Sequence, residues 1–303
     1  MTTVSTITVS QCPICRSPEC APLFIGHDRL HGLPGEFSVV RCLQCGGSYL
    51  ATRPLNLTEY YPAESYAAYD GHSPHFSRAP GRSYGLAQRR RWLTSLRPQG
   101  GRLLDVGCGS GDFLEVMRHV PAWKVAGLEF NPVAVEYARQ VRGLDVYTGE
   151  LPQLDWPAAT YDVITMWHVL EHLPDPIRVL AEVRRLLRPD GLFIVAVPMR
   201  DSAEAQFFGP TWAGYDVPRH LITFTRLSLT QLLTQAGFRV EEHFGVIQGF
   251  ASVRLSLRWW LVEKGFRGPL MHWLSAALLP FLFVYFRWRS GKKLGVATMV
   301  ARL

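Results

Sequence analysis

The sequence predicts an α/β protein: a mostly parallel sheet with helices on both faces, preceded by a small four-cysteine module and interrupted by a helical insertion before its last strand. Three observations predict it. Helix-like and strand-like segments alternate from about residue 83 onward. Two Cys-x-x-Cys pairs stand near the start, and residues 249–290 combine a long apolar run with most of the basic excess of the chain. At 303 residues there is room for about two domains. With 48% hydrophobic and 19% charged residues the composition is globular, which excludes disordered and fibrous classes.

The first module spans 1–50. Two residues between paired thiols let both sulfurs reach one ion, and two such pairs complete a closed tetrahedral set. Cys12, Cys15, Cys42 and Cys45 therefore predict a structural Zn2+ in a zinc-ribbon module. A redox dithiol lacks the βαβ context it requires here; two disulfides or a rubredoxin-like iron are the other readings of the pattern. Phe37–Arg41 alternates like a strand feeding the second pair, and Cys20 is left over. Residues 51–82, with Tyr60, Tyr61, Tyr66 and Tyr69 among Pro, Gly and Ser, read as a linker able to cover a cleft, although ordinary packing explains the same tyrosines.

The domain over 83–248 and 291–303 follows in order. Ser83–Arg97 reads as a helix, Gly101–Val106 as a buried strand, and a glycine-rich turn leads to a helix beginning near Asp112. Next come a strand at Lys124–Phe130, a helix at Pro132–Arg142, and strands near Asp145–Thr148 and at Tyr161–Trp167. Asp175 and Pro176, as N-cap and first-turn residue, open a helix running to Arg188. A strand at Leu192–Pro198, a helix at Ser228–Ala236, a strand at Phe238–Ile247 and a last antiparallel strand at Gly295–Ala301 complete the sheet. In such sheets ligands bind beyond the carboxyl ends of the strands. Met199–Thr225 has no clear helical period and reads as a long loop suited to an acceptor lid, with Phe208 and Trp212 alternatively packing the sheet edge.

The first turn reads Asp105-Val106-Gly107-Cys108-Gly109-Ser110-Gly111, and the second strand ends on Glu129, where a carboxylate can take two ribose hydroxyls. A dinucleotide fingerprint would need glycine where Asp112 stands, and no tyrosine has lysine four residues on, so nicotinamide chemistry is disfavoured.

With Gly127-Leu128-Glu129, Tyr161-Asp162-Val163-Ile164 and the run His168-Val169-Leu170-Glu171-His172-Leu173-Pro174-Asp175, the chain resembles the class I S-adenosylmethionine-dependent methyltransferases over roughly 85–248 plus the final strand. The resemblance implies a Rossmann-like seven-stranded methyltransferase sheet and S-adenosylmethionine as cofactor. It places Asp105, Gly107, Gly109 and Gly111 on the methionine and ribose side and Glu129 at the ribose hydroxyls, with Cys108 and Phe130 also counted among the cofactor-binding residues. Gly149, Glu150 and Leu151 would flank the adenine, and Trp167 would end the fourth strand beside the reactive methyl. Methyl transfer is an in-line displacement in which the protein aligns the acceptor and excludes water. A hydroxyl acceptor also gains from a general base, for which His168, His220 and His172 are the candidates.

Base N-methylation enzymes usually carry Asn/Asp-Pro-Pro-aromatic where this chain has Trp167-His168, and no Pro-Cys nucleophile of the cytosine C5 kind is present. The expected reaction is O-methylation of a small-molecule, sugar-derived or lipid-linked acceptor.

Charge is distributed unevenly. Residues 1–80 hold 5 basic and 6 acidic residues, 81–248 hold 18 of each, and 249–303 hold 9 basic against 1 acidic. Gly268–Phe286 is a 19-residue stretch without formal charge, borderline for a membrane span. Because the last strand must return to the sheet, 249–290 reads as an inserted helical hairpin. Flanking Arg254, Arg258, Lys264, Arg267, Arg287, Arg289, Lys292 and Lys293, with Trp259, Trp260, Trp273 and Trp288, suit an anionic membrane surface. A homodimer contact or cap is the alternative use of the same apolar face. Met1–Gln11 has no basic or apolar run, so the expectation is a cytosolic protein, peripheral on the inner membrane face. Two other functions remain. A zinc-module ribosomal RNA methyltransferase is disfavoured because the neutral central domain lacks the basic patch that nucleic acid needs. A non-catalytic membrane scaffold is weakened by the intact glycine loop and Glu129.

Overall fold

The computed structural model of the chain describes residues 4–62, 80–243, 250–290 and 295–303. Tyr66 and Tyr69, the end of the expected strand to Ile247, and Lys292 with Lys293 lie outside these residues.

The N-terminal module holds β1 (Thr6–Thr8), β2 (Cys20–Gly26), β3 (Phe37–Cys42), β4 (Ser48–Leu50) and β5 (Thr52–Pro54). β2, β3 and β4 form an antiparallel ribbon, and β1 pairs with β5. The start of the expected linker is thus structured. The Ala51 amide donates to Ser38 O at 2.8 Å, and the Thr52 hydroxyl accepts from the Ser38 amide at 2.7 Å. A 3-10 turn at Leu57–Tyr60 then buries Tyr60, whose hydroxyl donates to the Pro34 carbonyl.

The central domain begins with α1 (Pro80–Leu96), β6 (Gly101–Val106), α2 (Asp112–Arg118), β7 (Trp123–Glu129), α3 (Pro132–Gln140) and β8 (Val146–Thr148). β9 (Tyr161–Trp167), α4 (Pro176–Leu186), β10 (Leu187–Pro198), α5 (Ala203–Phe208), β11 (Ile222–Thr223), α6 (Arg226–Gln235) and β12 (Arg239–His243) follow. Asn131 caps α3, accepting from the Val133 and Ala134 amides at 2.9 and 3.2 Å, and Pro132 fits the first turn. α4 stops at Leu186, short of the expected Arg188, because the residue before Pro189 is pushed out of the helical region.

The seven-stranded sheet runs β12, then β13 (Val296–Arg302), β10, β9, β6, β7 and β8. β13 is antiparallel to both its neighbours, and the pairs β10–β9, β9–β6, β6–β7 and β7–β8 are parallel. Every residue of β9 is buried, as a parallel strand covered on both faces must be. Chain order reverses direction between β6 and β9, so the loops after these two strands open a crevice at the carboxyl end of the sheet.

Two features depart from a plain doubly wound sheet. Between β12 and β13 the chain forms α7 (Phe250–Glu263) and α8 (Gly268–Ser290), the hairpin read from the sequence. Their inner faces cover α5: Phe286 is buried and lies 5.7 Å from Phe208. The segment 199–225, expected to be a long loop suited to an acceptor lid or, alternatively, to pack the sheet edge through Phe208 and Trp212, is built into the fold. It forms α5 and three-residue 3-10 turns, and β11 pairs with β4, extending the ribbon sheet to four strands. Tertiary pairing supplied the order that helical periodicity did not signal. Trp212 is 1% exposed, so its role is packing.

On α5, Glu204 is 1% exposed, and burial pushes its carboxyl up to about 7, against the opposing pull of the Gly295 amide and the Arg226 charge. A raised folded-state value means the stabilising form is the protonated one. Its contribution is complete below the unfolded value of 4.5 and is lost as pH rises toward 7. Glu204→Gln should therefore raise stability at pH 8 by about 2 kcal/mol and leave it nearly unchanged at pH 4. Urea unfolding across that range checks this; parallel curves for the two proteins would refute it.

Candidate active site and metal centre

The crevice is built from four loops. After β6, Gly107 and Gly109 adopt left-handed φ values of 69° and 55°, and a Cβ on Gly107 would run into the Val169 side chain. The loop is tied to β7 because the Gly107 amide donates to Leu128 O at 2.7 Å. Glu129, 3% exposed, ends β7. Its Oε2 accepts from the Gly109 amide and its Oε1 from the Asn131 amide, each at 2.9 Å. Burial pushes this carboxyl upward, and those two amides oppose the shift. After β8, the Gly149 amide donates to Glu129 O at 3.0 Å, bringing Gly149, Glu150 and Leu151 to the same wall.

The fourth loop carries the histidines. His168 has φ +60°, unusual for a residue with a side chain, at a site where such strain costs about 1–3 kcal/mol. Its Nδ1 lies 3.3 Å from Glu171 Oε1, and the ring is about one-third exposed to the cavity. Glu171 is fully buried. Burial pushes its carboxyl up, but His168, with His172 and His220 behind it, outweighs burial and holds it below the usual range. His172 Nδ1 lies 3.0 Å from Arg219 O and 2.8 Å from the Tyr61 hydroxyl. A carbonyl oxygen only accepts, so Nδ1 carries the proton. Burial, reinforced by His220, lowers His172 to about 4, which leaves it neutral near pH 7.

These loops enclose a cavity of about 420 Å³. Of the residues expected at the cofactor, Gly107, Gly109, Glu129, Phe130, Gly149, Glu150 and Leu151 line it, as do His168 and His172. Asp105, Cys108, Gly111, Trp167 and His220 do not. Asp105 is buried under the loop and accepts from the Thr165 hydroxyl at 2.6 Å; burial raises its carboxyl to about 7. Trp167 faces the other side of the sheet, 5.4 Å from Phe113 and beneath the Arg89 guanidinium, because alternate residues of a strand point to opposite faces. His220 stands behind His172, their ring centres 4.6 Å apart.

For the opposite wall, sequence reasoning offered only that 51–82 could cover a cleft and named none of its residues except Tyr61. Ile7, Arg53, Leu55, Leu57 and Tyr61 come from the N-terminal module, whose approach depends on contacts distant in sequence. It also left out Glu171, although the residue stands within the quoted run beside His172.

The residues present fit both implied groups. The glycine loop and a buried carboxylate with its outer lone pairs toward the cavity suit a nucleoside with vicinal hydroxyls. Cys12 and Cys45 Sγ lie 3.7 Å apart and Cys15 and Cys42 Sγ 3.5 Å apart. Four sulfurs 2.3 Å from a tetrahedral zinc would stand about 3.8 Å apart.

Residues 81–243 match the family described as methyltransferase domain. A protein of Mycolicibacterium smegmatis, named a probable S-adenosylmethionine-dependent methyltransferase, is 33% identical over 187 residues, covering 57% of this chain and 69% of that one. A ubiquinone biosynthesis O-methyltransferase of Thiobacillus denitrificans is 30% identical over 172 residues, 52% of this chain and 73% of that one. A malonyl-[acyl-carrier protein] O-methyltransferase of Serratia marcescens is 33% identical over 176 residues, 55% and 66%. Among solved structures, the [4+2]-cyclase SpnF is 23% identical, covering 75% of this chain and 83% of that one, with a TM-score of 0.49.

Proposed function

We propose, for a chain that belongs to the methyltransferase-domain family and is an S-adenosylmethionine-dependent methyltransferase, that the methyl acceptor is a hydroxyl oxygen of a small-molecule, sugar-derived or lipid-linked substrate at the cytosolic face of a membrane. The observation that carries this reading is His168: a cavity-facing imidazole whose Nδ1 is held by a buried carboxylate, beside the glycine loop. Two relatives named as O-methyltransferases support oxygen as the accepting atom.

When bound, S-adenosylmethionine supplies an electrophilic methyl group on a sulfonium. Gly107 and Gly109 would let the backbone approach it, Glu129 would take the ribose hydroxyls, and Gly149, Glu150 and Leu151 would flank the base. Glu171 orients His168 through Nδ1, which makes Nε2 the nitrogen that would meet the acceptor hydroxyl. His168 Nε2 would take the hydroxyl proton as the methyl group passes to the acceptor oxygen and the carbon–sulfur bond breaks, its electron pair leaving with S-adenosylhomocysteine. The apolar wall from Ile7, Leu55 and Leu57 excludes water. Zinc on the four cysteines would have no open position and would hold together the module that carries this wall.

Membrane placement is supported by α8. It is the one helix among the described residues long and apolar enough to span, yet it folds back beside α7 to the sheet. Trp273, Phe281 and Trp288 are 76%, 76% and 78% exposed, with Arg287 and Arg289 close by, a composition suited to an anionic interface.

The test is transfer of tritium from methyl-labelled S-adenosylmethionine to a membrane lipid extract and to a panel of catechols and sugar hydroxyls, with and without phosphatidylglycerol vesicles. Label in a base-stable methyl ether is expected. His168→Asn should lower the turnover number about 100-fold or more while changing S-adenosylhomocysteine affinity less than about threefold. Label confined to RNA, protein or nitrogen would overturn the reading, as would full turnover in His168→Asn.

A further inference from the structure

We propose that Glu171, His172 and His220 form a second divalent-metal site, separate from the cysteine cluster, that takes a first-row transition ion such as zinc. One donor atom from each lies within 4.8 Å of the other two. The two oxygens of fully buried Glu171 differ in their surroundings: Oε1 holds His168, while Oε2 is buried without a hydrogen-bond partner. A buried carboxylate oxygen without a donor is costly enough that native proteins almost always satisfy it.

Neither neighbouring imidazole offers it a proton. His220 directs Nδ1 to Gly214 O at 2.8 Å, and His172 directs Nδ1 to Arg219 O at 3.0 Å. Since a carbonyl oxygen can only accept, the tautomer that satisfies both carbonyls puts the protons on Nδ1 and leaves both Nε2 atoms as ligand atoms, with the Tyr61 hydroxyl also 2.8 Å from His172 Nδ1. Two imidazoles in that tautomer and an anionic oxygen, with donor atoms within 4.8 Å of one another, form a set that a cation between them would stabilise. An Nδ1 proton bound to a carbonyl is also the outer arrangement that fixes an imidazole as an Nε2 ligand. Two imidazoles and one carboxylate select a transition ion, since magnesium and calcium favour sets made of oxygen. Ligands 2.0–2.1 Å from a tetrahedral ion stand about 3.3 Å apart, so modest side-chain rotations close the present spacing and leave a fourth position for water.

The ion would join the segment after β9, which carries His168, to the segment before β11, which carries Leu221, two walls of the cavity. Its charge on Oε2 would fix the carboxylate that orients His168, making Glu171 a positioning residue.

Cobalt(II) titration of metal-stripped full-length protein tests the proposal without turnover. Four thiolates give strong sulfur-to-cobalt charge-transfer absorption, whereas nitrogen and oxygen ligands give only weak d–d bands. The wild type should bind two equivalents, one with the charge-transfer band and one without. Glu171→Gln and His220→Asn should each weaken the second equivalent at least about tenfold and leave the charge-transfer band intact, which also shows that each variant is folded. Saturation at one equivalent in the wild type would overturn the proposal, as would an unchanged second equivalent in both variants. Because the readout is metal stoichiometry, the result is independent of whether the acceptor atom is oxygen.

Discussion

Arg219→Met is expected to destabilise the protein by about 3–5 kcal/mol, the cost of breaking a buried ion pair from one side. Arg219 is fully buried and has no access to water. Its Nη2 lies 2.8 Å from Asp28 and 2.6 Å from Asp216, its Nε donates to Asp216 at 2.9 Å, and its Nη1 donates to Tyr60 O at 3.2 Å. Burial alone would push the Asp216 carboxyl upward, and the guanidinium outweighs it, holding that group below the usual carboxylate range. Methionine fills much of the volume but leaves two carboxylates without their cation. Asp28 keeps the Leu30, His31 and Leu33 amides, so part of its charge stays satisfied. The double variant with Asp28→Asn should accordingly lose less than the sum of the single losses. Urea unfolding of the four proteins measures the coupling. A loss under about 1 kcal/mol for Arg219→Met would mean that the pair contributes little to joining the module to the sheet.

The second large effect is on cofactor affinity. Glu129→Ala should raise the dissociation constant for S-adenosylhomocysteine about 100- to 1000-fold, from the loss of the two charge-assisted hydrogen bonds proposed to run from Glu129 to the ribose. The same change frees the Gly109 and Asn131 amides that Glu129 now holds, so the glycine loop and the start of α3 lose a shared anchor. Fold stability should change little in comparison, because the carboxylate is already disfavoured by burial. Calorimetric titration beside a thermal melt separates the two effects. Retained affinity would place the ribose elsewhere in the crevice.

What could be read in the sequence follows the range of the interactions involved. The strands β6, β7 and β9, the glycine turn and the cap at Asp175 are set by periodicity and by contacts a few residues apart and are found within a residue of where they were expected, whereas β10 starts at Leu187, five residues before the expected Leu192. The hairpin of α7 and α8 was legible because its apolar run had to return to the sheet. By contrast, the ion pair of Arg219 leaves no local pattern to read, since Asp28 lies 191 positions away. The wall formed by Arg53, Leu55 and Tyr61 was read as linker for the same reason: its order comes from pairing with β1 and from His172, not from local pattern. Trp167 and His168 were read together as site residues, yet adjacent positions at a strand end face opposite ways, and only the second reaches the cavity.

The pairing of Ser48 with Thr223 sets an order of events during synthesis. The ribbon strands leave the ribosome first, with the outer edge of β4 open, and wait while about 170 further residues are made before β11 can close it. Over that interval the open edge is a template for any passing strand. The loop that must close is long, so this contact adds to the entropic barrier of folding without strengthening the early intermediate. Nascent chains stalled before residue 222 should therefore expose β4 to proteases and chaperones.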